Sequence, residues 1–348
     1  MVKYPEPEYY FVKIFHKIPI PFFTWPALIL FFYLIASNNI ILGFGHKIDF
    51  EYIRFYLGNT FFSIIAIVFI VIIYEKNIRE INKWVEENDI SVQKSDVVNK
   101  LNTIHKYFFG WNQFLITVSG VLVRKGIIYF LKLQNDYTLG KVIIDTITIF
   151  LIISLLLTAL GVILCVYTTG SNGIKAKYPF EVQNAYKDLV SLSRRNAVMI
   201  GIYLALYCSS VFGWAYQHEQ IVLGVIIDVL ILISIFIAFI IEIAGIKNGI
   251  AESKKIMLSE IKREMGKVQP LYTSLIDSMN KDLPIPNKFN EIDLILENLS
   301  NKGKSIGEIN EWMIDVESVI KIGSTLIATI IIPVAGIIPK IASYFRLN

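Results

Sequence analysis

The sequence predicts an all-α polytopic transmembrane helical bundle, six spans paired as three hairpins, with amphipathic helices on the cytoplasmic side. Three observations predict it. Of 348 residues, 54% are hydrophobic and only 18% charged, and the mean hydropathy of +0.55 is far from that of an ordinary water-soluble chain. Several uncharged runs approach or exceed the roughly 20 residues needed to cross about 30 Å of hydrocarbon. Lys and Arg are also unequally divided between alternate connecting segments.

Taken in order, residues 1–22 read as a cytoplasmic extension, because Met1-Val-Lys-Tyr-Pro-Glu-Pro-Glu lacks the basic start and small-residue cleavage site of a secretory signal. The transmembrane domain is expected over 23–246. Its first span falls near 24–43, with Pro21 and Pro26 at the entrance, where a missing N–H matters least. The others fall near 56–74, 107–123, 143–168, 197–217 and 221–246. Arg124-Lys125 closes the third, the fourth and sixth carry Asp145, Asp228 and Glu242, and the last two are joined by the tight turn at His218. Ile/Leu/Val/Phe runs this long leave no room for a disordered chain.

Cytoplasmic helices are expected within 75–106 and 175–196. Ile78, Ile81, Trp84 and Val85 share one helical face, as do Val97, Val98, Leu101 and Ile104 after Ser95 as N-cap. Residues 247–321 form a cytoplasmic helical region that continues the sixth span along an apolar stripe of Ile250, Ile256, Met257, Ile261 and Met265. Pro284 and Pro286 break it. One short helix then carries Ile292, Ile295, Leu296 and Leu299, and a second carries Ile306, Ile309, Trp312, Met313 and Val316, a stripe suited to an oligomer or partner interface. Residues 322–348 form a C-terminal hydrophobic segment, spanning or re-entrant, because Pro333 and Pro339 interrupt it.

Orientation follows from the cations. The segments on the side of the N-terminus carry fourteen Lys and Arg against six on the other, which puts the N-terminus in the cytoplasm of a cell-membrane protein. Leu139-Gly140 and Leu223-Gly224 open the fourth and sixth spans alike, each followed by Val-Ile-Ile-Asp a residue or less later, an echo of an internal repeat. Composition rich in Ile, Val and Leu yields such echoes by chance as well.

Several function classes are excluded. The net charge of +4 is small and spread out, so nucleic acid is not an expected partner. Nucleophile-elbow, zinc-helix, phosphate-loop and dinucleotide motifs are missing, and His16, His46, His105 and His218 are scattered. Cys165 and Cys208 lie in apolar runs. No enzyme, cofactor or metal centre is expected.

The chemistry that remains is intramembrane charge, which is expensive and asks for a reason. Asp228 and Glu242 lie fourteen residues apart on the sixth span, about four turns and 21 Å, and therefore share a face. Ser234 lies between them at nearly the same angle, and Asp145 begins the fourth span. These four are the expected ion pathway, with Asn112 and Gln113 as polar membrane residues that could satisfy an acid. For Glu242 a plainer reading is a solvated mouth residue with Lys247 as its partner. The expected function is a homo-oligomeric, cation-selective channel for a small inorganic ion in the lipid bilayer. The alternatives are a proton- or sodium-coupled secondary transporter and a non-transporting scaffold or signalling protein acting through 247–321.

Overall fold

A computed structural model describes residues 63–130, 139–217, 221–279 and 288–311. Among them the fold is all-α, with no strand beyond a single antiparallel bridge between Ile90 and Ile174. A helix over 63–71 passes through a π-helical turn, Ile72–Lys76, into α1 (Asn77–Glu87). Then follow α2 (Lys94–Phe108), α3 (Trp111–Phe130), α4 (Leu139–Gly170), α5 (Pro179–Gln217), α6 (Ile221–Met279) and α7 (Lys288–Gly307). One segment among the described residues, Asp145–Gly170 in α4, is long and apolar enough to cross a membrane. The expected first span at 24–43 and the segment 322–348 lie outside the described residues.

The amphipathic faces go where their spacing points. Ile78, Ile81, Trp84 and Val85 of α1 and Val97 and Leu101 of α2 are buried in one continuous core with α4, α5 and α6, and Val98 is buried too. Asn88 ends α1, turning to extended backbone while its Nδ2 donates back to the Trp84 carbonyl at 2.8 Å. The loop beyond it is tied to the one after α4: Ser91 N–H donates to Gly173 O and Lys175 N–H to Asp89 O, both at 2.7 Å. Ser95 is not the cap of α2. The helix begins one residue before it, at Lys94, behind an extended Gln93 that makes no side-chain cap.

Three boundaries differ from expectation. The helix expected within 175–196 and the span expected at 197–217 are one 39-residue helix, α5. Pro179 suits its first turn, and the Glu181 carboxylate accepts from Lys177 N–H (2.7 Å) and Tyr178 N–H (3.2 Å), satisfying donors that a helix start leaves open. No Gly or Pro then interrupts the chain as its composition changes from charged to apolar before Gly201. Helix α3 does not stop at Arg124-Lys125 but runs on to Phe130, because both cations find an acid on α4. The helix expected to begin at Ile306 does not. Ile306 lies in the last turn of α7, and Ile309 lies past its end. Sequence periodicity reads a stripe but not the residue at which the backbone stops following it.

Helix α6 is the spine. Its 59 residues amount to about 88 Å of helix, so the expected continuation of the sixth span beyond 246 is unbroken. It packs against α4, α5 and α7. The α4 crossing is unusually close. A Cβ at Gly245 would stand 2.8 Å from the Tyr167 backbone, and one at Gly249 only 1.9 Å from the Gly170 carbonyl oxygen. Gly245, Gly249 and Ser253 recur every four residues, the small-residue spacing that lets two helix backbones approach.

Candidate functional site

Four of the buried polar residues, Asn77 of α1, Ser193 and Asn196 of α5 and Glu242 of α6, form one string. Glu242 is 1% exposed, and one of its oxygens, Oε2, accepts from the Ser193 hydroxyl of α5. The other, Oε1, is buried without a hydrogen bond. Asn196, one turn along α5 from Ser193, supplies the other polar side chain beside the carboxylate, and its Nδ2 is likewise buried without an acceptor. Asn196 is therefore the second donor beside the carboxylate, and its Nδ2 has no other acceptor.

The Asn196 Oδ1 is occupied, accepting from Asn77 Nδ2 at the start of α1. Asn77 Oδ1 in turn accepts from Arg195 Nη2 at 2.7 Å. The Arg195 guanidinium also grips Glu80, one turn along α1, through Nη2 at 2.7 Å and Nη1 at 3.3 Å. Asn77 and Glu80 are three residues apart on one face of α1, and Asn77 follows directly on the π-turn, a departure from α geometry that recurs at functional sites. Arg195 and Glu80 are part-exposed, whereas Asn77 and Asn196 are each 1% exposed. The string therefore runs from the surface to a buried carboxylate.

Glu242 is accordingly no solvated mouth residue. It is 1% exposed and faces Ser193 across the α5–α6 packing. Asp145 is engaged elsewhere: its Oδ2 lies 3.1 Å from Arg124 Nη1 and 2.5 Å from Lys125 Nζ. It ties α3 to α4 as an ion pair and does not join Glu242 in one site. Asp228 and Ser234 lie on α6, with their side chains outside the described residues.

Gln113 is fully buried. Its Nε2 donates to Ser154 O (3.1 Å) and Thr158 Oγ1 (3.0 Å) of α4, so it satisfies a neighbouring helix and no acid. Its Oε1, with Thr117 Oγ1 and Ser154 Oγ, is buried without a hydrogen bond. Asn112 is half-buried. Ile306 and Ile309 are buried at 0% and 3% in the chain's own core, which withdraws them from a docking stripe. Trp312, Met313 and Val316 lie outside the described residues.

A second polar knot fixes the neighbouring loop. The Tyr186 hydroxyl donates to Asn172 O at 2.5 Å, and Ser253 Oγ accepts from Ile174 N–H at 2.9 Å. Trp84 Nε1 donates to Ala185 O at 2.7 Å. Burial pushes the Tyr186 phenol up, so it stays a donor.

Sequence reasoning missed Ser193, Arg195, Asn196, Asn77 and Glu80. A signal was available: in the expected topology Asn77, Ser193 to Asn196 and Glu242 all sit at cytoplasmic ends of spans, hence at one depth. Two clefts, about 230 and 480 Å3, lie along α6 beside α7, and neither includes Glu242. Among the described residues no group of His, Cys, Asp and Glu could hold a metal ion. Comparison with family models, curated proteins and solved structures finds no match.

Proposed function

We propose that this chain is an integral membrane protein of six spans that exchanges a proton or small cation at Glu242, as a coupled secondary transporter. The carrying observation is the occluded carboxylate: Glu242 is buried inside one chain, with Ser193 and Asn196 of α5 as its polar neighbours. A continuously open pore needs its acids on a water-filled lumen. A carrier needs an acid closed off from both sides in at least one state, and helix-interior carboxylates facing a bundle mark such pathways. This favours the coupled carrier over the homo-oligomeric cation channel.

The membrane setting is supported by what the outer faces carry. Leu115, Ile116, Leu122 and Val123 of α3 are exposed on one side of that helix, as are Leu156 and Leu160 of α4 and Ile233, Ile237 and Ile240 of α6. These are helical stripes of large apolar side chains pointing away from the core, a pattern suited to lipid. Beyond Ile250 the exposed positions of α6 turn to Lys255, Glu260, Lys262 and Arg263.

The test is flux in liposomes holding the full-length protein, with imposed proton and sodium gradients and a trapped pH-sensitive dye. Wild type should move one of the two cations saturably, Glu242→Asp should retain part of the rate, and Glu242→Gln should lose it. Equal flux in wild type and Glu242→Gln, or none in wild type, would refute the proposal.

A further inference from the structure

The string from Arg195 to Glu242 has a direction that follows from chemistry. A guanidinium carries donors only. The side of Asn77 facing Arg195 must therefore be its oxygen, which turns its NH2 toward Asn196. Asn196 must then answer with its oxygen, so its own NH2 is the donor left for Glu242. Ser193 donates to the same carboxylate from another side. We infer that Arg195 is a positioning residue that orients two buried amides so that the NH2 group of each points inward, toward Glu242.

Neither asparagine can be turned around alone, since a flipped Asn77 would bring its NH2 against the donors of Arg195. Glu80 holds the guanidinium through two nitrogens and keeps the first link in register. Asparagine amides are not proton carriers, so the string sets the preference of the site for a charged acceptor and is not itself a route. Ionised Glu242 can use both inward donors, Ser193 and Asn196. Protonated Glu242 wastes one unless its own O–H finds another acceptor. This inference rests on Glu242 as the exchanging group. Its test reads the carboxyl group and not flux, so either can fail without the other.

The experiment is infrared spectroscopy of the full-length protein in lipid nanodiscs at one fixed pH, following the protonated-carboxyl band assigned to Glu242 by its loss in Glu242→Gln. Asn77→Asp is nearly isosteric but accepts only. It keeps the Arg195 bond and forces Asn196 to turn its NH2 toward position 77, presenting oxygen to Glu242. A hydrogen bond to a charged group contributes about 1.5–3 kcal/mol, so the ratio of protonated to ionised Glu242 should rise at least about tenfold.

A new carboxylate also acts through space, so the same substitution is repeated in the Asn196→Leu background. Orientation through Asn196 predicts that most of the rise vanishes there; a rise that persists in full overturns the inference. Should Asn77→Asp fail to assemble, Arg195→Met with and without Asn196→Leu is read by the same rule, and Arg195→Lys, which keeps donors only, should match wild type.

Discussion

Gly249→Ala tests the packing on which the whole site depends. The added Cβ would stand 1.9 Å from Gly170 O and 2.6 Å from the Tyr186 hydroxyl oxygen. A carbon beside a carbonyl oxygen settles at about 3.3 Å, so α4 and α6 would have to separate by roughly 1.4 Å at this crossing. The Gly170 oxygen is main chain, and no side chain can swing away to make room. A shift of that size would break the Ile174 N–H bond to Ser253 Oγ, now 2.9 Å, and strain the Tyr186 bond to Asn172 O. Overpacking of this kind costs about 1–3 kcal/mol, and the lost hydrogen bond adds about 1 kcal/mol, for an expected total near 2–4 kcal/mol.

Gly266 supplies the internal control. It lies on the same helix with nothing within 4 Å of an added Cβ, so Gly266→Ala should gain about 0.5–1 kcal/mol from helix propensity alone. Thermal denaturation of both variants in one detergent reads the difference. If Gly249→Ala melted within a degree or two of wild type, the close crossing would be refuted.

Other substitutions probe separate contacts. Lys254 Nζ reaches Gly307 O, Ile309 O and Glu311 Oε1 at 3.1–3.2 Å, capping the end of α7; Lys254→Met should loosen α7 by about 1–2 kcal/mol, seen as faster hydrogen exchange across 288–307. Asp145→Asn should cost about 1–2 kcal/mol in a denaturation assay, because it leaves Arg124 and Lys125 facing each other beside a neutral amide. Thr117→Val removes a buried hydroxyl that has no partner while keeping its shape, and the melting temperature should hold or rise; a clear fall would mean that the hydroxyl is bonded. Burial lowers His105 to about 4 from an ordinary value near 6.5. The unfolded chain therefore takes up this proton first, and the stability due to neutral His105 is complete above pH 6.5 and lost as pH falls toward 4. Melting curves of wild type and His105→Gln between these limits should converge on the acid side.

The periodic parts of this chain were legible, and the reasons are local. Ile78, Ile81, Trp84 and Val85 repeat at helical spacing, and a face that apolar has to be buried somewhere. Helix ends were less legible, as α5 illustrates: a change of composition near Asn196 reads as a boundary, yet nothing in the backbone chemistry of Ser193-Arg194-Arg195-Asn196 interrupts a helix. The acids were hardest. Asp145 and Glu242 look alike in sequence, each a single carboxylate near the end of an apolar run. Asp145 meets two cations from α3, whereas Glu242 meets a hydroxyl and an amide from α5, and only tertiary packing decides between them. The spacing Gly245, Gly249, Ser253 was visible and unused; it is the one local pattern that announces where α6 comes closest to another helix.

That close approach bears on the carboxylate itself. Glu242 precedes Gly249 by seven residues, two turns and about 10 Å of rise on the same helix face. The Gly249 crossing sets the height of α6 against α4, and with it the level at which Glu242 meets Ser193. Helix α6 is continuous here, so a displacement forced at Gly249 has no break in which to dissipate before Glu242. Two kinds of failure should therefore separate. Glu242→Gln keeps the shape of the side chain and should lose flux with little change in melting temperature, because an amide can still accept from Ser193. Gly249→Ala should lose flux and stability together. If Gly249→Ala instead kept full flux while losing 3 kcal/mol, the height of α6 would not govern the site, and the carboxylate would have to be held from α5 and α1 alone.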